Sequence, residues 1–237
     1  FLVLLGLALA LRLGWVLLVD PQPTLGGGDA SFYMHLSEQL VNGNGLSYHD
    51  QPVAVVGPAY PLYLAVLRWL CGSDNVLLAA RIGQAVIGGL MVGAVFVIGR
   101  LWIGTVVGLA AAALLAVDLR FIVEVGSIST ETLLATMLAV CLWVYLKAIE
   151  QQRYGLWLLA GIALGMTTLT RAVVQFLPAV LLFHLWATGS ARRVWWQGGL
   201  MLAGFAIVVC PWIIRNWVVF GVPTISQGGA AHFWMGA

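Results

Sequence analysis

The chain is poor in charge: only 8% of its 237 residues are Asp, Glu, Lys or Arg, where a soluble domain carries about 25%. Hydrophobic residues make up 62%, so the chain could not cover its own surface in water. A mean hydropathy of +0.99 makes lipid the solvent. Net charge is +2 and no basic tract is present, which removes the electrostatic signature of a nucleic-acid partner. Cysteine is equally scarce. Cys71, Cys141 and Cys210 lie far apart, so neither a disulfide framework nor a CxxC metal site is visible. Cys141 and Cys210 sit in apolar runs, where a lone Cys behaves as a small hydrophobe. Internal repeats of about 20–50 residues are absent, and no stretch reads as a separate soluble domain. Residues 1–19 lack the basic n-region and small-residue cleavage site of a signal peptide, and read as a spanning helix. The sequence opens on Phe1 rather than Met and stops at Ala237 just after a polar loop. The expectation is that both ends continue beyond it.

What is present is a series of apolar runs. A spanning helix needs about 20 mostly apolar residues, and about seven candidates fit: residues 1–19, 76–99, 101–117, 130–146, 154–169, 172–187 and 194–214. Backbone in lipid must satisfy its own hydrogen bonds, so these runs are predicted as helices. The sequence thus predicts an all-α polytopic membrane protein forming a single transmembrane domain over residues 1–237. The joints are short except for residues 20–75, which are rich in Gly and Pro and hold Asp20, Asp29, Glu38, Asp50 and Asp74. Two amphipathic interfacial helices are expected there, residues 30–41 and 58–70. Leu36, Leu40, Leu62, Leu67 and Trp69 would face acyl chains.

With the amino terminus in the cytoplasm, the inner joints carry Arg100, Lys147, Arg153, Arg192 and Arg193 within very few residues. Arg68, Arg81, Arg120, Arg171 and Arg215 fall on the outer side, spread over longer loops and helix ends. The density of cations in short loops favours this orientation. Of the acids only Glu150 then lies inside.

Polar chemistry therefore gathers on one face: Asp29, His35, Glu38, His49, Asp50, Asp118, Arg120, Glu124, Glu131, Arg171, Arg215 and Asn216. Ionisable groups near membrane depth mark sites and pathways. Carboxylates act as general bases or metal ligands, and arginines hold phosphates by paired hydrogen bonds. Each candidate also has a plainer reading. Asp29, after Gly26-Gly27-Gly28, is either a helix N-cap or an acid beside a loop open to substrate. Glu131 is either a first-turn acid favoured by the helix dipole or a site residue held at the edge of an apolar run. Arg171 and Arg215 either snorkel to headgroups or bind an anion. His35 and His49 with Asp29, Glu38 or Asp50 leave a divalent ion open, although no spacing forms a ligand signature. No other cofactor is implied. His184 reads as a packed helix residue, Arg12 has no evident partner, and Gly83, Gly88, Gly89 and Gly93 read as close helix packing. The tryptophans read mostly as interfacial anchors, apart from Trp15 and Trp143.

These residues resemble a family. The runs Gly28-Asp29-Ala30-Ser31-Phe32-Tyr33, Gly43-Asn44-Gly45-Leu46 and Gly57-Pro58-Ala59-Tyr60-Pro61-Leu62-Tyr63 look like the first outer loop of GT-C superfamily membrane glycosyltransferases. They are most similar to the bacterial branch related to protein O-mannosyltransferases and the lipid A aminoarabinose transferase. Ser129-Thr130-Glu131, Leu169-Thr170-Arg171 and Pro211-Trp212-Ile213-Ile214-Arg215-Asn216 with Phe220-Gly221 agree in order and spacing. The resemblance implies a multi-pass enzyme of a bacterial plasma membrane. Such an enzyme takes a sugar from a polyprenyl-phosphate donor at the extracytoplasmic face and passes it to an acceptor. By the same resemblance Asp29 is the base or the acid that organises the acceptor, and Glu131 supports it. Arg171 and Arg215 meet the lipid phosphate, and Tyr33 and Asn216 complete the substrate-binding set. Partners would be the lipid-linked sugar, membrane lipids and other membrane subunits, with no nucleic acid. Relatives usually have more helices and often a soluble outer domain at the carboxyl end, so that part of the family is expected to be missing here. A catalytically silent subunit of a membrane complex is the alternative that this shortness raises. A transporter fits less well, because it would place ionisable groups near the midplane.

Overall fold

A computed structural model describes residues 1–21, 28–188 and 191–227, with backbone alone for 191–193. Gly26, Gly27 and the side chains of Arg192 and Arg193, used above, lie outside the described residues. The protein is an all-α membrane protein, and its chain divides into two compact units. One comprises Phe1–Pro52 and Ala59–Ala139, the other Val53–Pro58 and Val140–Ala237.

The first unit begins with α1 (Leu2–Gly14), prolonged by a π-helical turn, Trp15–Val19. Helices α2 (Asp29–Val41) and α3 (Ala59–Cys71) follow, then α4 (Val76–Trp102), α5 (Thr105–Val117), the short α6 (Leu119–Glu124) and the start of α7 (Glu131–Gln151). α1 packs on α4 and α5, α4 packs on α5, and α2 lies against α3. Small residues bring these helices close: Ala8, Ala112 and Ala116 are fully buried with Val92 and Phe96. Close approach of this kind replaces the hydrophobic drive that lipid removes.

The two helices expected between residues 20 and 75 fall within a residue or so of their expected ends. One detail is corrected: Leu36 does not face lipid but is fully buried, on the helix that packs against α3. Leu62 and Trp69 are exposed, as expected. Arg68 also joins the two helices, donating to Ser37 Oγ at 3.2 Å and Met34 O at 3.3 Å. Between them lies a small antiparallel hairpin, β1 (Ser47–Tyr48) and β2 (Gln51–Pro52), that the sequence reading passed over. Its turn residues His49 and Asp50 both have positive φ, 50° and 61°. Asp and His are among the few side chains that adopt this region, but they lack the Asn-Gly signal that marks such turns in a sequence.

The second unit holds the rest of α7, α8 (Tyr154–Thr170), a 3-10 turn (Ala172–Phe176), α9 (Leu177–Thr188) and α10 (Ala191–Phe220). α8 and α10 form its most extensive packing. Gly161 and Gly165 on α8 stand one GxxxG spacing apart, and a Cβ on Gly161 would lie 1.9 Å from the Met201 carbonyl oxygen. Trp157 is buried rather than interfacial, edge-on to Tyr145 at 5.8 Å. His184 is packed, as expected, with Nδ1 2.7 Å from the Tyr145 hydroxyl.

Among the described residues, four segments are long and apolar enough to cross a membrane: Leu2–Val19, Val76–Trp102, Glu131–Gln151 and Val194–Phe220. The other three expected spans form as shorter apolar helices, Thr105–Val117, Tyr154–Thr170 and Ala172–Thr188. At about 1.5 Å per residue, the 13 residues of α5 reach only about two thirds of a hydrocarbon core of about 30 Å.

Candidate active site

α2 starts where it does because Gly28 turns the chain at φ 79°, a conformation that costs glycine little and other residues more. Gly28 is itself the N-cap. Asp29 is the first helical residue rather than the cap, so the capping reading of Asp29 does not hold. Its carboxylate is exposed, close to the positive end of the helix dipole.

One turn further along α2, Tyr33 is buried and meets Tyr60 of α3 edge-on, with ring centroids 5.0 Å apart. Tyr60 is fully buried. Its hydroxyl donates to Gln84 Oε1 on α4 at 2.8 Å. Burial pushes the Tyr60 phenol well above its ordinary pKa, and the charge of Glu131 pushes it the same way. The hydroxyl therefore stays a neutral donor. Through Gln84, whose amide donates to Ser127 O at 2.7 Å, Tyr60 links the helix that Asp29 begins to the turn before Glu131. Glu131 is exposed, with one oxygen 3.4 Å from Thr130 Oγ1. Within this unit, then, Asp29, Tyr33 and Glu131 belong to elements that share one buried phenol.

His35 and His49 do something other than collect carboxylates. Tyr48 lies between them, 5.0 Å from His35 and 4.3 Å from His49 by ring centroid, and Phe32 lies 5.1 Å from Tyr48. Among the described residues, no group of three or more His, Cys, Asp or Glu is placed to hold a metal ion. The divalent-ion reading of His35 and His49 gains nothing from this geometry.

The second unit contains Arg171, Arg215 and Asn216. Arg171 is exposed at the end of α8, where the chain becomes extended. Beside it, Gly57 packs on the Leu169 carbonyl; a Cβ there would lie 2.0 Å from that oxygen. Arg215 is half-buried between Trp212 and Phe220, 5.0 and 5.2 Å from their ring centroids. Its Nη1 donates to Val53 O and to Asn216 Oδ1, both at 3.0 Å. Asn216 is fully buried and donates to Thr224 O at 2.8 Å. Trp212 Nε1 donates to Ile225 O, and Ser226 Oγ donates to Val55 O. The motif pieces of this unit thus fasten residues 53–57 and 222–227 around α10.

Three residues of the first unit escaped the sequence reading of the site: Tyr60, Arg81 and Gln84. Tyr60 stands inside a motif quoted above. Gln84 is the signal that was available, an amide in the middle of an apolar span.

The family described as dolichyl-phosphate-mannose-protein mannosyltransferase matches the chain over residues 51–214, well over half of its length. No curated protein matches it.

Proposed function

The chain belongs to the dolichyl-phosphate-mannose-protein mannosyltransferase family, of GT-C type, and from that premise we propose that it transfers a sugar from a polyprenyl-phosphate donor to an acceptor at the extracytoplasmic face of a bacterial plasma membrane. Asp29 takes the proton from the acceptor hydroxyl or amine, which a nucleophile must lose as it attacks. Glu131 supports it from the start of α7. Arg171 and Arg215 offset the charge that develops on the leaving lipid phosphate. Tyr33, on the unit that carries the two acids, and Asn216, on the unit that carries the two arginines, complete the substrate-binding set.

The observation that supports the reading is the Tyr60 phenol, which meets the Asp29 helix through Tyr33 and the turn before Glu131 through Gln84. The elements that carry these two acids, far apart in sequence, are thereby linked through one buried side chain. Arg171 supports the phosphate role by its exposure. Arg215 supports it by fixed orientation, since a guanidinium already held needs little reorganisation.

Asp29→Asn tests the assignment. With a radiolabelled polyprenyl-phosphate sugar, transfer should fall by about 100-fold or more, with expression and donor binding retained. Unchanged turnover would remove Asp29 as base.

A further inference from the structure

The turn between α6 and α7 leads into Glu131, and it is held by side chains of a single helix. Gln84 Nε2 donates to Val125 O at 3.0 Å and to Ser127 O at 2.7 Å. Arg81 Nε donates to Gly126 O at 2.9 Å. Three successive backbone carbonyls are therefore occupied by two residues one turn apart on α4. Both side chains are fully buried, in a helix apolar enough to span a membrane. Neither belongs there for the sake of the helix, because buried polar groups cost free energy unless bonded.

Each donor is also held from behind. Tyr60 donates to Gln84 Oε1, which fixes the amide so that both its hydrogens face carbonyls. Arg81 Nη2 pairs with the carboxylate of Asp20, at the end of the π-helical turn that finishes α1. The Asp20 side chain is itself half-exposed. Turn amides are protected too: Gly126 N–H donates to Val123 O at 2.9 Å and Ser127 N–H to Glu124 O at 3.0 Å.

We propose that Arg81 and Gln84 are positioning residues that clamp the turn delivering Glu131, and that Asp20 acts on this turn through Arg81. The catalytic consequence rests on the role assigned to Glu131 above; the clamp itself does not.

Hydrogen exchange and kinetics on the full chain in lipid nanodiscs separate the two. Arg81→Lys and Gln84→Met should each raise exchange in residues 125–130 by about tenfold, the factor expected for roughly one lost hydrogen bond. Exchange in α8 and α10 should stay as in the parent protein. Asp20→Asn, at a half-exposed position, should raise exchange in the same turn, although Asp20 makes no hydrogen bond to it. In all three variants kcat should fall by up to about 100-fold, the cost of misplacing a reacting group by about an ångström, with KM for the lipid-linked donor within about twofold. A turn unchanged in Arg81→Lys and Gln84→Met overturns the clamp. A turn unchanged in Asp20→Asn alone overturns the relay through Arg81. Exchange that rises while kcat holds keeps the clamp and overturns its link to catalysis. If Asp29→Asn proves fully active, the reaction assignment fails while the exchange measurement still decides the clamp.

Discussion

Single residues in this protein are explained by the backbone groups they meet. Arg12, without an evident partner in the sequence, donates to Ala8 O at 3.1 Å on its own helix and to Leu115 O and Ala116 O at 3.1 and 3.2 Å on α5. Leu115 and Ala116 lie in the last turn of α5, where helix carbonyls lack intrahelical donors. The buried cation thus caps a neighbouring helix. Arg12→Ala should leave those carbonyls unpaired inside the unit and lower stability by about 1–3 kcal/mol, read as a drop in the thermal midpoint of the detergent-solubilised protein. Asp29 shows how far the sequence reaches at this scale. Its place at a helix start was legible from the glycines before it. That Gly28 rather than Asp29 takes the capping position depends on a backbone angle. Arg215 shows the limit from the other side. A cation at a helix end was legible, but its bond to Val53 O joins residues 162 positions apart, and no local pattern announces such a contact.

Among the elements, helices were read most reliably, because lipid demands long apolar runs and backbone self-satisfaction. Elements that were missed are short and held by tertiary contacts. α6 has six residues and starts on an N-cap bond from Arg120 N–H to Asp118 at 3.0 Å. The guanidinium of Arg120 bonds the same carboxylate and holds it below the usual carboxylate range. The hairpin has two residues per strand and a turn without the usual glycine. Helix pairing is the element property that can be tested most directly. Gly161 faces the Met201 backbone, and Gly204 on α10 faces the Leu158 backbone, where a Cβ would lie 2.2 Å from the carbonyl oxygen. Neither neighbour is a side chain that can swing away. Gly161→Val should force α8 from α10 and cost about 1–3 kcal/mol, the usual penalty of overpacking, measured as a lower thermal midpoint. Gly155→Val, where a Cβ meets nothing within 4 Å, should have far less effect.

For the whole molecule, the proposed orientation makes one decisive prediction. Asn44 is exposed in the segment between α2 and the hairpin, where its amide donates to nearby Gln39. In a variant with its native cysteines replaced, Asn44→Cys should react with a membrane-impermeant maleimide on intact cells. Labelling only after lysis would place that segment in the cytoplasm and reverse the proposed active face. Composition by itself determined that the chain lives in lipid and that its spans are helical, since so little charge cannot cover a water-facing surface and unpaired backbone cannot persist in hydrocarbon. Glycine and acid placement determined where α2 and α7 begin. Only the tertiary structure decided that Tyr60, Gln84 and Arg81 hold the Glu131 turn, that Arg12 caps α5, and that Arg215 and Asn216 fasten the segments around α10. Most of those contacts join residues tens of positions apart or more, and they depend on ångström-scale helix packing that periodicity does not encode.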